Sequence, residues 1–186
     1  MTAVRQYLGD LKALVSGPRA FFDSPSPGLP AEGRLADRAA DRFARLTGVS
    51  FALLFFLQEI LMGGRISWIV LLVALVAFFV LPLIAVALAR SAAWVVGLSS
   101  ALLGENPDAL VLKRASCYAL AGALPAATGL AWAPWLSIFA VVILAAGMEK
   151  GLKYSPFKSG LLAAFPAALV ATLLLLSAFI FKIQVF

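Results

Sequence analysis

From Ala115 to Met148 the chain carries no Asp, Glu, Lys or Arg. As one α-helix this run would be about 50 Å long, against a bilayer hydrocarbon core of about 30 Å. Pro125, Gly129 and Pro134 interrupt its middle. The run therefore reads as two short membrane spans, 115–130 and 133–148, that turn near Gly129–Pro134. Three more runs have the same character. Residues 47–64 hold one charge, Glu59, and residues 66–89 and 159–181 hold none. Ser91–Gly104 is apolar but too short to cross alone. It is expected to lie in the interface after a bend at Arg90, with a continuous tilted helix as the alternative.

Composition agrees with a membrane protein. Apolar residues make up 63% of the 186-residue chain and charged residues 13%. A soluble domain runs near 45–50% and about 25%. Histidine is absent and Cys117 is the single cysteine. That excludes a histidine triad, a histidine or multi-cysteine metal site and an internal disulfide. No paired acid and base or nucleophile–base set is visible, so neither an enzyme nor a cofactor is expected. Cys117, with no charge beside it, reads as a small buried residue.

The net charge of +6 follows topology rather than nucleic acid. Lys and Arg flank the apolar runs, as they do in cytoplasmic loops. Five spans with a cytoplasmic N-terminus put every Lys and Arg inside except Arg65 and Lys182. Fewer or more crossings weaken that bias. The expected architecture is an all-α, five-span bundle behind a cytoplasmic arm, residues 1–46.

The arm carries two amphipathic segments. Val4, Leu8, Leu11 and Val15 recur at helical spacing, which suits a helix lying on a membrane or a partner. No long apolar core precedes a small-residue cleavage site, so the arm does not read as a secretory signal. Gly17-Pro18 should stop this helix. Phe21 and Phe22 are placed to enter the membrane interface. Ser24 to Pro30, with three prolines, reads as an extended linker. Leu35, Ala39, Phe43 and Leu46 then form one stripe, with Asp41 and Arg45 as an i,i+4 pair, and this second helix runs into the first span.

The order of these features resembles the Yip1-domain family, in its short bacterial form. The resemblance begins at Leu14-Val15-Ser16-Gly17-Pro18-Arg19-Ala20-Phe21-Phe22. It continues through the run ending Leu103-Gly104 and through Tyr118-Ala119-Leu120, with Pro125 seven residues beyond Tyr118. Trp135, Gly147 and the basic loop before the last span complete it, so about residues 10–183 are covered. The resemblance implies five spans, a cytoplasmic N-terminus and an outside C-terminus. In a bacterium it implies the inner membrane. Eukaryotic relatives look like membrane-traffic factors that bind prenylated small GTPases. This chain lacks their acidic Tyr-Gly segment, which argues against a GTPase partner.

Within the apolar runs a few residues stand out. Glu59 and Arg90 are the ionisable groups most embedded in apolar sequence; such groups are costly and often functional. They should sit at opposite membrane faces, as interfacial anchors. Pro82, Pro125 and Pro166 interrupt spans and are tolerated where neighbours satisfy the freed carbonyls. Gly122 and Ala126, flanking Pro125, form a small-xxx-small pair suited to close helix packing. Lys150, Lys153 and Lys158 form a basic loop of the kind that meets lipid headgroups, or simply an inner-face loop. Three functions remain open. They are a membrane organiser or adaptor, a small transporter or lipid conduit, and an accessory subunit of a larger complex. The partners expected are lipids and other membrane proteins or a second copy.

Overall fold

Two long helices, the second continuous through Pro82, carry the fold. The structure is a computed structural model and describes residues 3–23, 34–63, 68–128, 138–166 and 168. The linker at 24–30, Arg65, the turn at 129–134, Trp135, Lys182 and the last span beyond 168 lie outside the described residues. Helices α1 (Ala3–Ser16) and α2 (Pro18–Asp23) form the start of the arm. Helix α3 (Arg34–Gly63) joins the rest of the arm to the first apolar run without a break. Helix α4 spans Trp68–Leu102. Then come α5 (Ala109–Ala119), a 3-10 segment (Leu120–Thr128), α6 (Ile138–Gly151) and α7, residues 156–166.

The bend expected at Arg90 is absent; α4 is the continuous alternative. Its stop lies at Gly104, whose φ of 78° is costly for a residue with a side chain. The Glu105 amide donates to the Ser100 carbonyl and the Gly104 amide to the Ala101 carbonyl, each at 3.0 Å. Those bonds close the last turn as a left-handed cap does. The third run also starts earlier than its apolar stretch. Asp108 accepts a bond from the Leu110 amide at 2.8 Å, so α5 begins at Ala109 and includes Lys113 and Arg114.

α3 and α4 are long and apolar enough to cross a membrane, over Arg38–Leu61 and Trp68–Leu102. Only 22% and 11% of their most apolar windows are buried inside the protein. A soluble core helix would hide most of its apolar surface. Here Trp68, Ile69, Leu72, Phe79 and Leu83 face outward.

Small residues let the helices touch. α5 is central, packed against α3, α4 and α6, with Leu112 and Ala115 to Ala119 buried. A Cβ on Gly48 of α3 would lie 2.6 Å from the Pro82 Cα of α4. A Cβ on Gly122 would lie 2.3 Å from the Ala140 amide nitrogen, and one on Gly147 2.6 Å from the Ala115 Cβ. Those contacts, with Gly151 against Val111, keep a single antiparallel register between α5 with its 3-10 extension and α6. Of the buried serines, the Ser100 and Ser116 hydroxyls have no hydrogen-bond partner among the described residues, whereas two others are satisfied within their own helices. Ser99 donates to the Val95 carbonyl at 2.8 Å and Ser159 to the Ser155 carbonyl at 2.9 Å, one helical turn back.

The glycines differ in what they allow, which gives a paired test. Gly97 of α4 would place its Cβ 3.6 Å from Leu112 Cδ1, an ordinary contact. Gly48→Ala should destabilise the protein in detergent by about 1–3 kcal/mol through overpacking. Gly97→Ala should stabilise it by up to about 1 kcal/mol through helix propensity. Thermal unfolding of the two variants checks the order; equal melting temperatures would contradict the close α3–α4 approach.

Candidate functional site

Ion pairs between elements tie the charged end of the bundle together. Asp41 of α3 receives Arg90 of α4 at 3.2 Å and Lys113 of α5 at 3.3 Å. On the other side of α5, Arg19 of α2 reaches Glu149 of α6 at 3.0 Å, and Lys150 of α6 reaches Asp23 of α2 at 2.8 Å. Lys158 of α7 pairs with Glu105, in the loop after α4, and lies 4.4 Å over the Tyr154 ring. Asp41 and Lys113 are 18% and 16% exposed, whereas Arg90 is 58% exposed. The Asp41–Lys113 pair is therefore the better shielded and the less weakened by solvent.

An aromatic cluster lies against these charges. Tyr118 of α5 stacks with Phe43 of α3 at 4.6 Å and with Phe21 of α2 at 5.0 Å. Tyr7 of α1 meets Phe43 at 5.0 Å, and its hydroxyl is 3.2 Å from that of Ser50. Phe22 stands edge-on to Tyr118 at 6.0 Å. Such tilted and edge-on pairs contribute about 0.5–1.5 kcal/mol each beyond burial. Phe21 and Phe22, expected in the membrane interface, instead fasten the arm to the bundle. α1 is docked by Tyr7 and Leu14, both buried, while Val4, Leu8 and Val15 remain exposed beside Arg5 and Lys12.

The residues singled out in sequence fall in different places. Arg90 belongs to the ion-pair layer. Its partner Asp41 was expected to pair with Arg45 along the same helix; the carboxylate turns across to α4 and α5, and Arg45 is exposed. Glu59 lies at the other end of α3, half-buried beside a groove of about 140 Å³ that Phe55, Ile69 and Val73 also line. The two groups are not brought together. Gly122 packs on α6 of the same chain, Pro125 is half-buried in the 3-10 segment, and the Ala126 side chain lies outside the described residues. Of the basic loop, Lys150 and Lys158 are committed to carboxylates of this chain. Lys153 is exposed, with a φ of 57°. Cys117 is buried.

Sequence reasoning missed Asp41 and Lys113 as a pair. Their signal was the cost of leaving a carboxylate and an ammonium beside apolar runs without partners. Among the described residues, no three of His, Cys, Asp and Glu come together as metal ligands would. Comparison with protein-family models, with curated proteins and with solved structures finds no match for this chain.

Two outcomes test this end of the bundle. Asp41→Asn removes the charge that Arg90 and Lys113 share and should cost about 1–3 kcal/mol, while Arg90→Gln should cost under about 1 kcal/mol. Unfolding in detergent ranks them; the reverse order would contradict Asp41 as the shared partner. Burial raises the Asp10 carboxyl above its ordinary value. The folded protein thus favours protonated Asp10. That contribution is full below the ordinary carboxylate value and is lost as pH rises through the raised one. Asp10→Asn should raise the melting temperature at pH 7 and leave it nearly unchanged at pH 3.

Proposed function

We propose that the chain is a non-enzymatic integral membrane protein that organises or adapts other membrane components through helix–helix and lipid contacts. The observation that carries this reading is the outward apolar face of α4, from Trp68 to Leu88, on a helix whose charged end is tied to its own chain. A surface of that kind meets acyl chains or another apolar helix. The likeness to Yip1-domain proteins supplies the orientation, with the arm and the ion-pair layer on the cytoplasmic side.

Distances support a bundle of membrane height. Asp41 to Glu59 along α3 is about 27 Å, and Arg90 to Trp68 along α4 is about 33 Å. Both approach the core thickness of about 30 Å. Lys113 to Thr128 would rise only about 22 Å as α-helix. With its second part wound as 3-10 helix, at about 2.0 Å per residue, it reaches about 27 Å. That length supports the hairpin within a five-span arrangement.

Glu59 does not favour the conduit reading. Its surroundings, Phe55, Phe56, Ile69 and Val70, are apolar, and its level near the end of α3 suits an interfacial anchor. The test is a photo-crosslinking residue at Phe79, installed in the full chain in its native membrane. A discrete protein adduct, unchanged in Glu59→Gln, is the expected result. Lipid adducts alone, together with a transport defect in Glu59→Gln, would overturn the adaptor reading for the conduit.

A further inference from the structure

Helix α1 divides into four sectors of about a quarter turn each. Tyr7 and Leu14, both buried, define the side that meets the bundle. At about 100° per residue, Val4, Leu8, Leu11 and Val15 centre about 80° to one side of that direction. Val4, Leu8 and Val15 are 57%, 56% and 56% exposed, and Leu11 is half-buried at the edge of the docked side. Arg5 and Lys12 centre about 80° further round, and both are exposed. The last sector, about 80° to the other side of the docked face, holds Gln6, Asp10 and Ala13. The two flanks of the bundle contact therefore differ in kind. One is a row of four aliphatic residues, and the other is polar or small.

A single environment suits all four sectors. A helix lying in a bilayer surface against the side of a bundle has protein on one side and acyl chains beneath. It has headgroups on its far side and water above. Depth agrees with that placement. The Tyr7 ring lies 5.0 Å from that of Phe43, and its hydroxyl is 3.2 Å from that of Ser50. Phe43 and Ser50 are about 3 Å and about 14 Å from Asp41 along α3, toward its Glu59 end. Tyr7 thus meets α3 about 8 Å past the ion-pair layer. Interfacial helices sink their apolar faces about 5–10 Å into the boundary between headgroups and acyl chains.

We propose that the face of α1 made by Val4, Leu8, Leu11 and Val15 is a lipid-binding surface, seated in the leaflet on the arm's side with Arg5 and Lys12 on acidic headgroups. The arm is then held twice, by Tyr7 and Leu14 to the bundle and by this face to the leaflet. Cationic side chains at the border of an apolar row lay their stems along acyl chains and set their charges among phosphates. Because Tyr7 sets the helix at acyl depth, lipid already surrounds the row. A protein partner would have to displace that lipid with little gain in apolar burial. The inference rests on the membrane reading above and adds to it where the arm lies.

The test uses the full chain with Cys117→Ala, in nanodiscs of phosphatidylcholine with one fifth phosphatidylglycerol. A nitrobenzoxadiazole label is attached singly to Leu8→Cys and to Ala13→Cys, both at exposed positions. On Leu8→Cys the label should be quenched strongly by nitroxide-labelled lipid and weakly by iodide, and on Ala13→Cys the reverse. Arg5→Gln and Lys12→Gln should each raise the ratio of iodide-exposed to protected label at position 8 about fivefold, the loss of roughly one surface cation's attraction. Lys153→Gln should leave that ratio unchanged. Equal iodide quenching at positions 8 and 13 would overturn the seat in the leaflet. Protection at position 8 without quenching by lipid would overturn lipid as the occupant in favour of protein. An equal rise in Lys153→Gln would overturn the placement of acidic headgroups on Arg5 and Lys12 in favour of diffuse surface charge. Failure of the chain to enter nanodiscs would overturn the membrane reading itself, a result distinct from entry with the row in water.

Discussion

Asp41 holds three helices at one level. Its carboxylate, on α3, takes Arg90 from α4 and Lys113 from α5, and each of those cations lies at the edge of a long apolar run. Removing Lys113, the more shielded of the two, from water alone would be costly. Bringing all three charges together lowers that cost and sets the relative heights of the helices. The pairs of α2 with α6 act the same way on the other side of α5. Helices that slide freely on apolar faces thus gain a register that apolar contact alone would not impose.

Beneath that layer the packing is made by absence of side chain. Gly48 against Pro82, Gly122 against Ala140 and Gly147 against Ala115 bring backbones closer than any larger residue permits. In lipid such close approach is a main source of helix association, since apolar burial offers little gain over acyl chains. The aromatic cluster around Tyr118 fills the wider space nearer the charges, where α1 and α2 come in. The arm is therefore part of the bundle, while the Val4, Leu8 and Val15 strip beside Arg5 and Lys12 keeps the character of an interfacial helix.

Periodicity and apolar length foretold what depends on local sequence. α1, the stop at Gly17-Pro18 and the merging of the arm into α3 were all readable in that way. The continuity of α4 through Arg90 was not, because the charge is accommodated by Asp41, 49 positions away, and no local rule sees such a partner. The start of α5 before Lys113 was hidden for the same reason: Lys113 and Arg114 look like a boundary until the Asp41 carboxylate meets Lys113. Phe21 and Phe22 look equally suited to lipid and to Tyr118, and only tertiary packing chooses.

In the proposed topology the arm and the ion-pair layer share one membrane face and the Trp68 end of α4 lies at the other. Labelling with a membrane-impermeant maleimide in sealed, right-side-out vesicles tests that placement directly. Arg5→Cys, Lys153→Cys and Trp68→Cys would each be placed singly in a Cys117→Ala chain. The account has Arg5→Cys and Lys153→Cys react only after the vesicles are opened and Trp68→Cys react before. Labelling of all three from the same side would contradict it.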